Sequence, residues 1–571
     1  MRIKIIRLII TFLFLVIAVD LFYVQVIRGK YYYGLSVNNR IRVVPLEGQR
    51  GRIFDRNMKI LVDNRLSLNV AVIPQDMKEG EMLFDYLSRV LKVKKQKLLR
   101  RFYQKKVTPF APVVVAEDVD KRVAMVLEEN RFRFPGLYIQ ESVRREYPFK
   151  EVGSHVLGYV GKINRAKIKK LKDYGYTPQS VVGYSGVEES YDSFMKGKEG
   201  GAQIEVNNRG QQVKMLSVKE PEKGQDIQLT IDHRVQQIAA KALGEKHGTI
   251  IVMSLNTGEI RGMVSSPSYN PNIFVDSRLK KKSGLVFIDP GAPLLNRAIK
   301  GLYPPGSVFK VVMSTAALIT GKIESTTTFS CSGVYRLGRR GFRCAHVHGV
   351  QDLVKAIAHS CNVYFFNAGL ILGPDTIYKY AHLLGLGEET RIDLPYEEKG
   401  LLPNRAQRRK KYNLGWYKGD TLNYSIGQGD VLTTPLQLVR MMATVALRGR
   451  EVQPHLIKGI GGKDVVQFSL VKRTGIKEEV FDVIQKGLRL VVADEGGTAR
   501  LLNMKGFEVA GKTGTAQTTK SRPHHAWFVG YDLSGKEPIA FCVFLEYGGS
   551  SYHSCVVARD FLKELRKEKI I

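Results

Sequence analysis

Leu8 to Val19 is an uncharged apolar run that resumes after Asp20 and continues to Ile27, with Arg2, Lys4 and Arg7 ahead of it. About 20 residues cross the hydrocarbon core of a bilayer, and in lipid a single segment satisfies all its backbone groups only as a helix. This stretch is therefore restricted before any tertiary contact is considered. Positive charge stays on the cytoplasmic side. The pattern predicts a cytoplasmic tail at residues 1–7, a transmembrane anchor at 8–27 and everything after Arg28 outside. A cleaved signal peptide is the alternative, but no small-x-small cleavage site follows the run cleanly. Asp20 is expected to face a partner, water or the outer headgroups, because a charge in the bilayer core is expensive.

With 571 residues and 44% hydrophobic content, the chain can bury ample core and should hold at least two domains. Its formal charge is +34. A chain this basic suits nucleic acid, anionic lipid or an acidic polymer. No nucleic-acid motif accompanies the charge, and the anchor puts the bulk of the chain outside the cytoplasm. Anionic lipid and envelope polymers are thus the expected partners, with general lysine usage as the plain alternative.

A second feature carries chemistry. In Tyr303-Pro304-Pro305-Gly306-Ser307-Val308-Phe309-Lys310 the prolines and glycine cannot continue a helix from upstream, whereas the residues after them are good helix formers. Ser307 should sit at or just before a helix start, where free N–H groups and the helix dipole favour a developing alkoxide. Lys310 lies three residues on, on the same face. A lysine walled in by Phe309 and Val311 can lose enough hydration to become partly neutral and take the serine proton. Ser-x-x-Lys alone is common, and a solvated serine at a helix cap is the plain alternative.

Two further stretches match it: Ser360-Cys361-Asn362 after a helix-like run, and Lys512-Thr513-Gly514-Thr515 after a strand-like one. Ser-x-x-Lys, Ser-x-Asn and Lys-Thr-Gly in that order form the motif triplet of serine β-lactamases and penicillin-binding proteins. The chain resembles the class B penicillin-binding proteins, and within them the elongation-type transpeptidases. Arg50-Gly51-Arg52-Ile53-Phe54-Asp55-Arg56-Asn57 and Gly183 to Asp192 are similar to the family's non-catalytic signatures, and Asn296-Arg297-Ala298 precedes the serine as in the family. Gly419-Asp420-Thr421 and Gly427-Gln428-Gly429 favour the elongation subtype over the division-specific one.

The resemblance implies roles. Ser307 would be the nucleophile and Lys310 its base; Ser360 would relay a proton to the departing amine, and Asn362 would bind the substrate amide and hold Lys310. Lys512 would add positive charge near Ser360, Thr513 and Thr515 would bind a substrate carboxylate, and Gly514 would let the substrate backbone approach the strand edge. The backbone N–H groups of Ser307 and Thr515 would form the oxyanion hole. The implied substrates are peptidoglycan stem peptides ending in D-alanyl-D-alanine, with β-lactams as mimics, and no cofactor is needed for catalysis. No glycan-polymerising domain precedes the transpeptidase, so the resemblance implies a SEDS-type membrane glycosyltransferase and other elongation-complex proteins as partners, the catalytic domain lying on the periplasmic face. A D,D-carboxypeptidase, a class D β-lactamase or a β-lactam sensor shares the triplet. The long pedestal and anchor argue against the first two, and a tail of about seven residues leaves no room for the signalling region a sensor needs.

The implied fold is α+β: the anchor, an elongated α+β pedestal at 28–224 with a head at about 76–180, and a transpeptidase domain at 225–571. Short strand-like runs such as Leu68 to Ile73 and amphipathic helices such as Met82 to Leu91 mark the pedestal, and Pro221 to Gly224 reads as a hinge. In the last domain Gly248–Leu255 and Glu259–Ser265 flank Asn256-Thr257-Gly258 as a hairpin. Ala526–Tyr531 and Ile539–Leu545 read as strands and Cys555–Lys569 as a closing helix. Together they form an antiparallel sheet flanked by helices, with a helical region carrying the first two motifs.

Three of the five cysteines fall with a histidine in one window: Cys331, Cys344, His348 and Cys361. Three thiolates and an imidazole make a closed tetrahedral set suited to structural Zn²⁺. A Cys331–Cys344 disulfide is the alternative in an oxidising compartment, and Cys361 can be a plain buried thiol. Zinc is the favoured expectation because the disulfide leaves His348 and Cys361 without roles, and His346 is a possible substitute ligand. The loop between Gly333 and Gly349 would then be tied to the Ser360–Asn362 turn.

Overall fold

The computed structural model describes residues 2–46, 48–77, 79–106, 109, 112–174, 176–177, 180–206, 212–276, 278–465, 472–519 and 521–571. The apolar run forms α1 (Arg2–Phe22), continued by one π-helical turn, Tyr23–Ile27. Ile3–Ile27 has a mean hydropathy of 2.6 and no buried side chain. A helix that is apolar all round and packs on nothing is built for lipid.

The chain divides into two compact units. The first holds Met1–Gly51, Asn64–Arg144 and Lys196–Gln225. In it Gly200–Val206 pairs antiparallel with both Ile41–Leu46 and Gln212–Lys219. A small core forms where the amphipathic helices Gly80–Leu91 and Lys95–Lys105 bury Leu83, Phe84, Leu87, Leu98 and Phe102 with Val70, Val72, Val113 and Val115. Each such side chain contributes about 1.5–3 kcal/mol of burial, enough to hold a head of this size.

The second unit holds Arg52–Asp63, Arg145–Met195 and Asp226–Ile571. In chain order it contributes β1 (Gly248–Ser254) and β2 (Ile260–Ser266), the helix α2 (Lys310–Thr320), a hairpin of β3 (Val334–Leu337) and β4 (Arg340–Arg343), α3 (Leu353–Ala358), α4 (Asn362–Leu372) and α5 (Glu478–Ala493). It ends with β5 (Val509–Ala516), β6 (His525–Asp532), β7 (Ile539–Leu545) and α6 (Ser551–Lys567). The sheet order is β2-β1-β7-β6-β5, antiparallel throughout, with β5 at an edge. β1, β2, β6 and β7 are buried along their whole length, so both faces of these strands are covered, and β7 is a continuous apolar run rather than an alternating one. The turn between β1 and β2 contains Gly258 at φ +79°, the left-handed conformation that its glycine permits.

Packing adds detail to two expectations. Within the pedestal expected at 28–224, with a head at about 76–180, residues 52–63 and 145–195 pack into the second unit. The reason lies in buried polar bonds within that unit. Asp55, fully buried, accepts the backbone N–H groups of Asn57 and Lys59 and bonds His233 Nδ1 at 2.8 Å. Arg145 pairs with Glu188 at 2.7 Å, and Tyr191 donates to Asp393 at 3.0 Å. Lysine-rich composition cannot say which sheet or core a segment joins. The window Gly333–Gly349, expected as a loop, contains the β3–β4 hairpin.

The Arg145–Glu188 pair is almost wholly buried, with side chains 3% and 0% exposed. Glu188→Gln removes the carboxylate from a buried ion pair and should destabilise the protein by about 3–5 kcal/mol. Thermal denaturation of the two proteins checks this, and an unchanged melting temperature would argue against the clasp.

Candidate active site

Pro305 and Gly306 stop any upstream helix, and the chain restarts as a single 3₁₀ turn, Gly306–Phe309, that runs directly into α2. Ser307 lies in this turn, half-buried. Three neighbours hold the turn. Gly306 N–H donates to Gly427 O at 3.0 Å, and Trp527 Nε1 donates to Pro304 O at 3.1 Å. Tyr303 and Thr433 exchange backbone hydrogen bonds. Gly427 is required here: its φ is +66°, and a Cβ would stand 2.3 Å from Gly306 O. The Gly-Gln-Gly segment is thus a buttress of the nucleophile turn.

Lys310 is fully buried. Its Nζ donates to Ser360 O at 2.7 Å, Ser360 Oγ at 3.1 Å and Asn362 Oδ1 at 2.7 Å. An ammonium has three donors, and all three are taken. Burial pushes its pKa down to about 8, opposed by the nearby Cys344 and Cys361 thiols. Losing a proton therefore frees a lone pair on an amine already fixed in place.

The Ser360 turn is made by helix endings. Asp352 caps α3 by accepting from Lys355 N–H at 2.8 Å, and α3 closes with Cys361 N–H on Ala356 O and Ser360 at φ +55°. A left-handed residue after a helix reverses the chain; here it turns both the carbonyl and the hydroxyl of Ser360 toward Lys310. Asn362 then opens α4, its Nδ2 donating to Arg343 O at 3.2 Å and its backbone N–H to Cys344 Sγ at 3.1 Å.

The third motif lies on the edge strand β5. Lys512 is fully buried, and burial and the Lys310 charge hold it well below the usual lysine range. The added positive charge expected of it is therefore opposed by its surroundings, because two ammonium groups cannot share one dry site cheaply. Thr513 Oγ1 lies 2.6 Å from Thr498 Oγ1, while Thr515 is exposed and its Oγ1 accepts from Ser551 N–H at 3.3 Å. Gly514 is needed for a reason other than substrate approach: a Cβ there would meet Pro305 O at 2.9 Å, Val308 Cγ2 at 3.1 Å and Trp527 Cβ at 3.2 Å. It lets β5 close on the nucleophile turn, and Thr515 O lies 3.1 Å from where a Cβ on Gly306 would stand.

The structure adds residues that the motifs did not name. His359, just before Ser360, bonds Gln351 Oε1 through Nδ1 at 2.9 Å and Asp494 Oδ2 through Nε2 at 2.8 Å. Asp494 also accepts from Gly496 N–H, in the Gly496-Gly497-Thr498 turn that supplies the partner of Thr513. The only sequence signal was that glycine turn.

Cys331, Cys344, His348 and Cys361 converge, their ligand atoms all within 4.8 Å of one another. His348 Nδ1 lies 3.6 Å from Cys331 Sγ and 3.5 Å from Cys344 Sγ. A tetrahedral ion with bonds of ~2.3 Å to sulfur and ~2.05 Å to nitrogen sets that edge at ~3.5 Å. All five cysteines are free thiols, so the disulfide alternative is absent from this structure. His346 faces Cys331 with its carbonyl, and the histidine whose ring joins the three thiols is His348. Cys344 is held below the usual thiol range, first by a hydrogen bond with the Cys361 thiol, with further help from the backbone donors of Val363 and Asn362.

Residues 248–565 match the family described as penicillin binding protein transpeptidase domain, and residues 45–229 match the penicillin-binding protein dimerisation domain. The chain is 30% identical to the peptidoglycan D,D-transpeptidase MrdA of Acinetobacter baumannii, over 98% of this chain and 86% of that one. Its fold is similar to the penicillin-binding protein PBP2 of Helicobacter pylori solved in complex with MreC, at TM-score 0.83 and 28% identity, covering 93% of this chain and 99% of that one. It is also similar to a chain of a peptidoglycan synthase complex that coordinates polymerization and crosslinking, at TM-score 0.75 and 32% identity, covering 98% and 97%.

Gly427→Ala forces a side chain into both a left-handed backbone and the Gly306 carbonyl, whereas Gly514→Ala meets only contacts near 3 Å. Both overpack the nucleophile turn, by about 1–3 kcal/mol for Gly514→Ala and more for Gly427→Ala. Melting temperatures should fall in that order, and the reverse order would count against the buttress.

Proposed function

This chain belongs to the penicillin-binding transpeptidase family, as a class B elongation-type peptidoglycan D,D-transpeptidase, and from that premise we propose that Ser307 is its nucleophile and Lys310 the base that activates it. The carrying observation is the buried Lys310 amine, lowered to about 8 and held by Ser360 and Asn362. Neutral Lys310 takes the Ser307 proton as Oγ attacks the carbonyl of the penultimate D-alanine. The N–H groups of Ser307 and Thr515 receive the oxyanion, each such donor contributing about 10²- to 10³-fold in rate. Ser360, bonded to Lys310, passes the proton to the leaving amine, and terminal D-alanine departs. The amine of a second stem then attacks the acyl-enzyme, a new amide forms and Ser307 recovers its proton. Thr515, exposed on β5, with Lys512 three residues earlier on the same strand, would form the wall that receives the terminal carboxylate, and Thr513, bonded to Thr498, would position that wall.

The single apolar helix anchors the chain in a membrane, and the basic residues ahead of it support an N-terminus in the cytoplasm and a catalytic unit on the periplasmic face. The neighbours solved with MreC and within a peptidoglycan synthase complex support work inside the elongation complex. A SEDS-type glycosyltransferase is the proposed polymerising partner, with α1 and Asp20 as its contact.

The cysteine cluster would hold one Zn²⁺ through Cys331, Cys344, His348 and Cys361. The ion would supply a structural cross-link and no catalytic step. Cys344 already receives the Asn362 N–H, so a fixed cluster keeps the Ser360–Asn362 turn in register with Lys310.

Fluorescent penicillin should label the parent protein at Ser307, with a rate that rises with pH and levels off above about 8, since only the neutral amine is a base. Ser307→Ala should fold and remain dark; a labelled Ser307→Ala protein, or a pH-independent rate between pH 6 and pH 9, would refute the assignment. Metal analysis should find about one zinc per chain, and Cys344→Ser should lower both zinc content and melting temperature. A metal-free parent of equal stability would remove the ion.

A further inference from the structure

The hairpin β3–β4 carries Arg336, Arg339, Arg340 and Arg343, and all four side chains are exposed. Among the described residues none of the four pairs with a carboxylate, whereas other arginines of the same unit do: Arg408 with Asp420 at 3.1 Å and Arg448 with Asp482 at 2.9 Å. The register fixes how the charges are presented. Val334 faces Arg343, Tyr335 faces Phe342, Arg336 faces Gly341 and Leu337 faces Arg340, closed by a two-residue turn with Gly338 at φ +59°. Tyr335 and Phe342 pack on Phe366, so alternation along the strands puts Arg336 and Arg343 on the other, outward face. Arg340 lies over the Phe342 ring at 5.1 Å. Arg336 and Arg343 thus share the outward face, Arg339 lies in the turn and Arg340 stacks along the aromatic face, so the hairpin carries positive charge around its end and sides that no acid pairs with among the described residues.

The base of the hairpin is joined to the Lys310 cluster through its backbone. Arg343 O accepts the side-chain N–H of Asn362, whose Oδ1 takes Lys310. Cys344 N–H closes the base of the hairpin on Gly333 O at 2.8 Å. The terminal carboxylate of the donor stem has its own proposed wall on β5, so this patch faces some other anion. A guanidinium fork matches a carboxylate in two parallel hydrogen bonds.

Resting on the transpeptidase reading above, we infer that hairpin β3–β4 binds carboxylates of stem peptides other than the terminal one and steers acidic stems into the cleft. Such carboxylates occur on the donor stem and on the acceptor stem, and the same forks can take either.

The test uses the full-length protein in detergent and the variant Arg336→Gln/Arg339→Gln/Arg340→Gln; Arg343 is kept because its carbonyl holds Asn362. Penicillin labelling, which needs neither stem, should stay within about twofold of the parent. A parent that does not label at all would defeat the transpeptidase reading instead. In one arm a donor stem with free internal carboxylates is compared with its internally amidated form, reading the rate of acyl-enzyme formation. In the other arm an acceptor stem is compared with its amidated form, reading how much acyl-enzyme is resolved by amine rather than water. The parent should prefer the acidic form about tenfold in at least one arm, as one charge-assisted pair allows. The variant should lose that preference and the Arg→Lys triple should recover part of it; the arm that responds names the stem. Equal use of acid and amide by the parent in both arms, or a preference the Gln variant keeps, overturns the inference. So does a variant whose only loss is binding to vesicles of anionic lipid. If the Gln variant fails to label, the parent alone decides: its preference must flatten from about 50 to about 500 mM salt, and a salt-independent preference overturns the inference.

Discussion

The active site depends on the burial of one amine. Lys310 has no exposed surface, and an ammonium stripped of water must have every proton accepted or shed one. Here the three acceptors come from two residues that flank a single position in the chain, Ser360 and Asn362. That demand accounts for much of what surrounds them. Ser360 sits in a left-handed conformation because only that turn aims both its oxygens at one point. Asn362 is held on both sides by the segment Arg343–Cys344, so its carbonyl oxygen stays toward the lysine. The cluster of Cys331, Cys344, His348 and Cys361 lies around Cys344, and the chain of dependence ends there.

The second lysine shows the same physics from the other direction. Lys512 is as buried as Lys310 and donates only a long hydrogen bond, to Thr513 O at 3.4 Å. With one amine already held by three oxygens, the other is pushed toward neutrality first by its burial and then by its charged neighbour. The threonine pair Thr513–Thr498 and the His359–Asp494 contact tie the strand that carries Lys512 and the turn that carries Ser360 to one loop after α5.

The α+β class and the local elements that carry the motifs were legible in the sequence. Lys310, Ser360 and Asn362 meet in space, with Lys512 near enough to feel the Lys310 charge, because each motif is a helix start, a helix end or a strand, and those are local signals that a few residues suffice to give. Three cysteines and a histidine expected together do converge. At Gly514 the protein's own Pro305 carbonyl also closes on the Cβ position, a contact that a sequence does not reveal. Thr498, His359 and Asp494 were missed, as their roles come only from tertiary placement. Less legible was the packing of Arg52–Asp63 and Arg145–Met195, which join the catalytic unit through buried polar bonds such as Asp55 to His233, Tyr147 to Asn272 and Tyr191 to Asp393 that leave no periodic trace.

That packing bears on how the chain is made. The catalytic unit is discontinuous, its first two segments preceding the strands β5–β7 by more than 300 residues. At about 5–20 residues per second, Asp55 and Glu188 are synthesised tens of seconds before β7 is. In that interval the first unit can complete its own core around Phe84 and Phe102, because its three segments end at Gln225. The catalytic core cannot close until nearly the last helix has emerged, with contacts of very high sequence separation and a correspondingly slow search. For that period the buried acids and apolar strands of an unfinished domain stay exposed on a chain already tethered by α1, which keeps its folding next to the membrane surface.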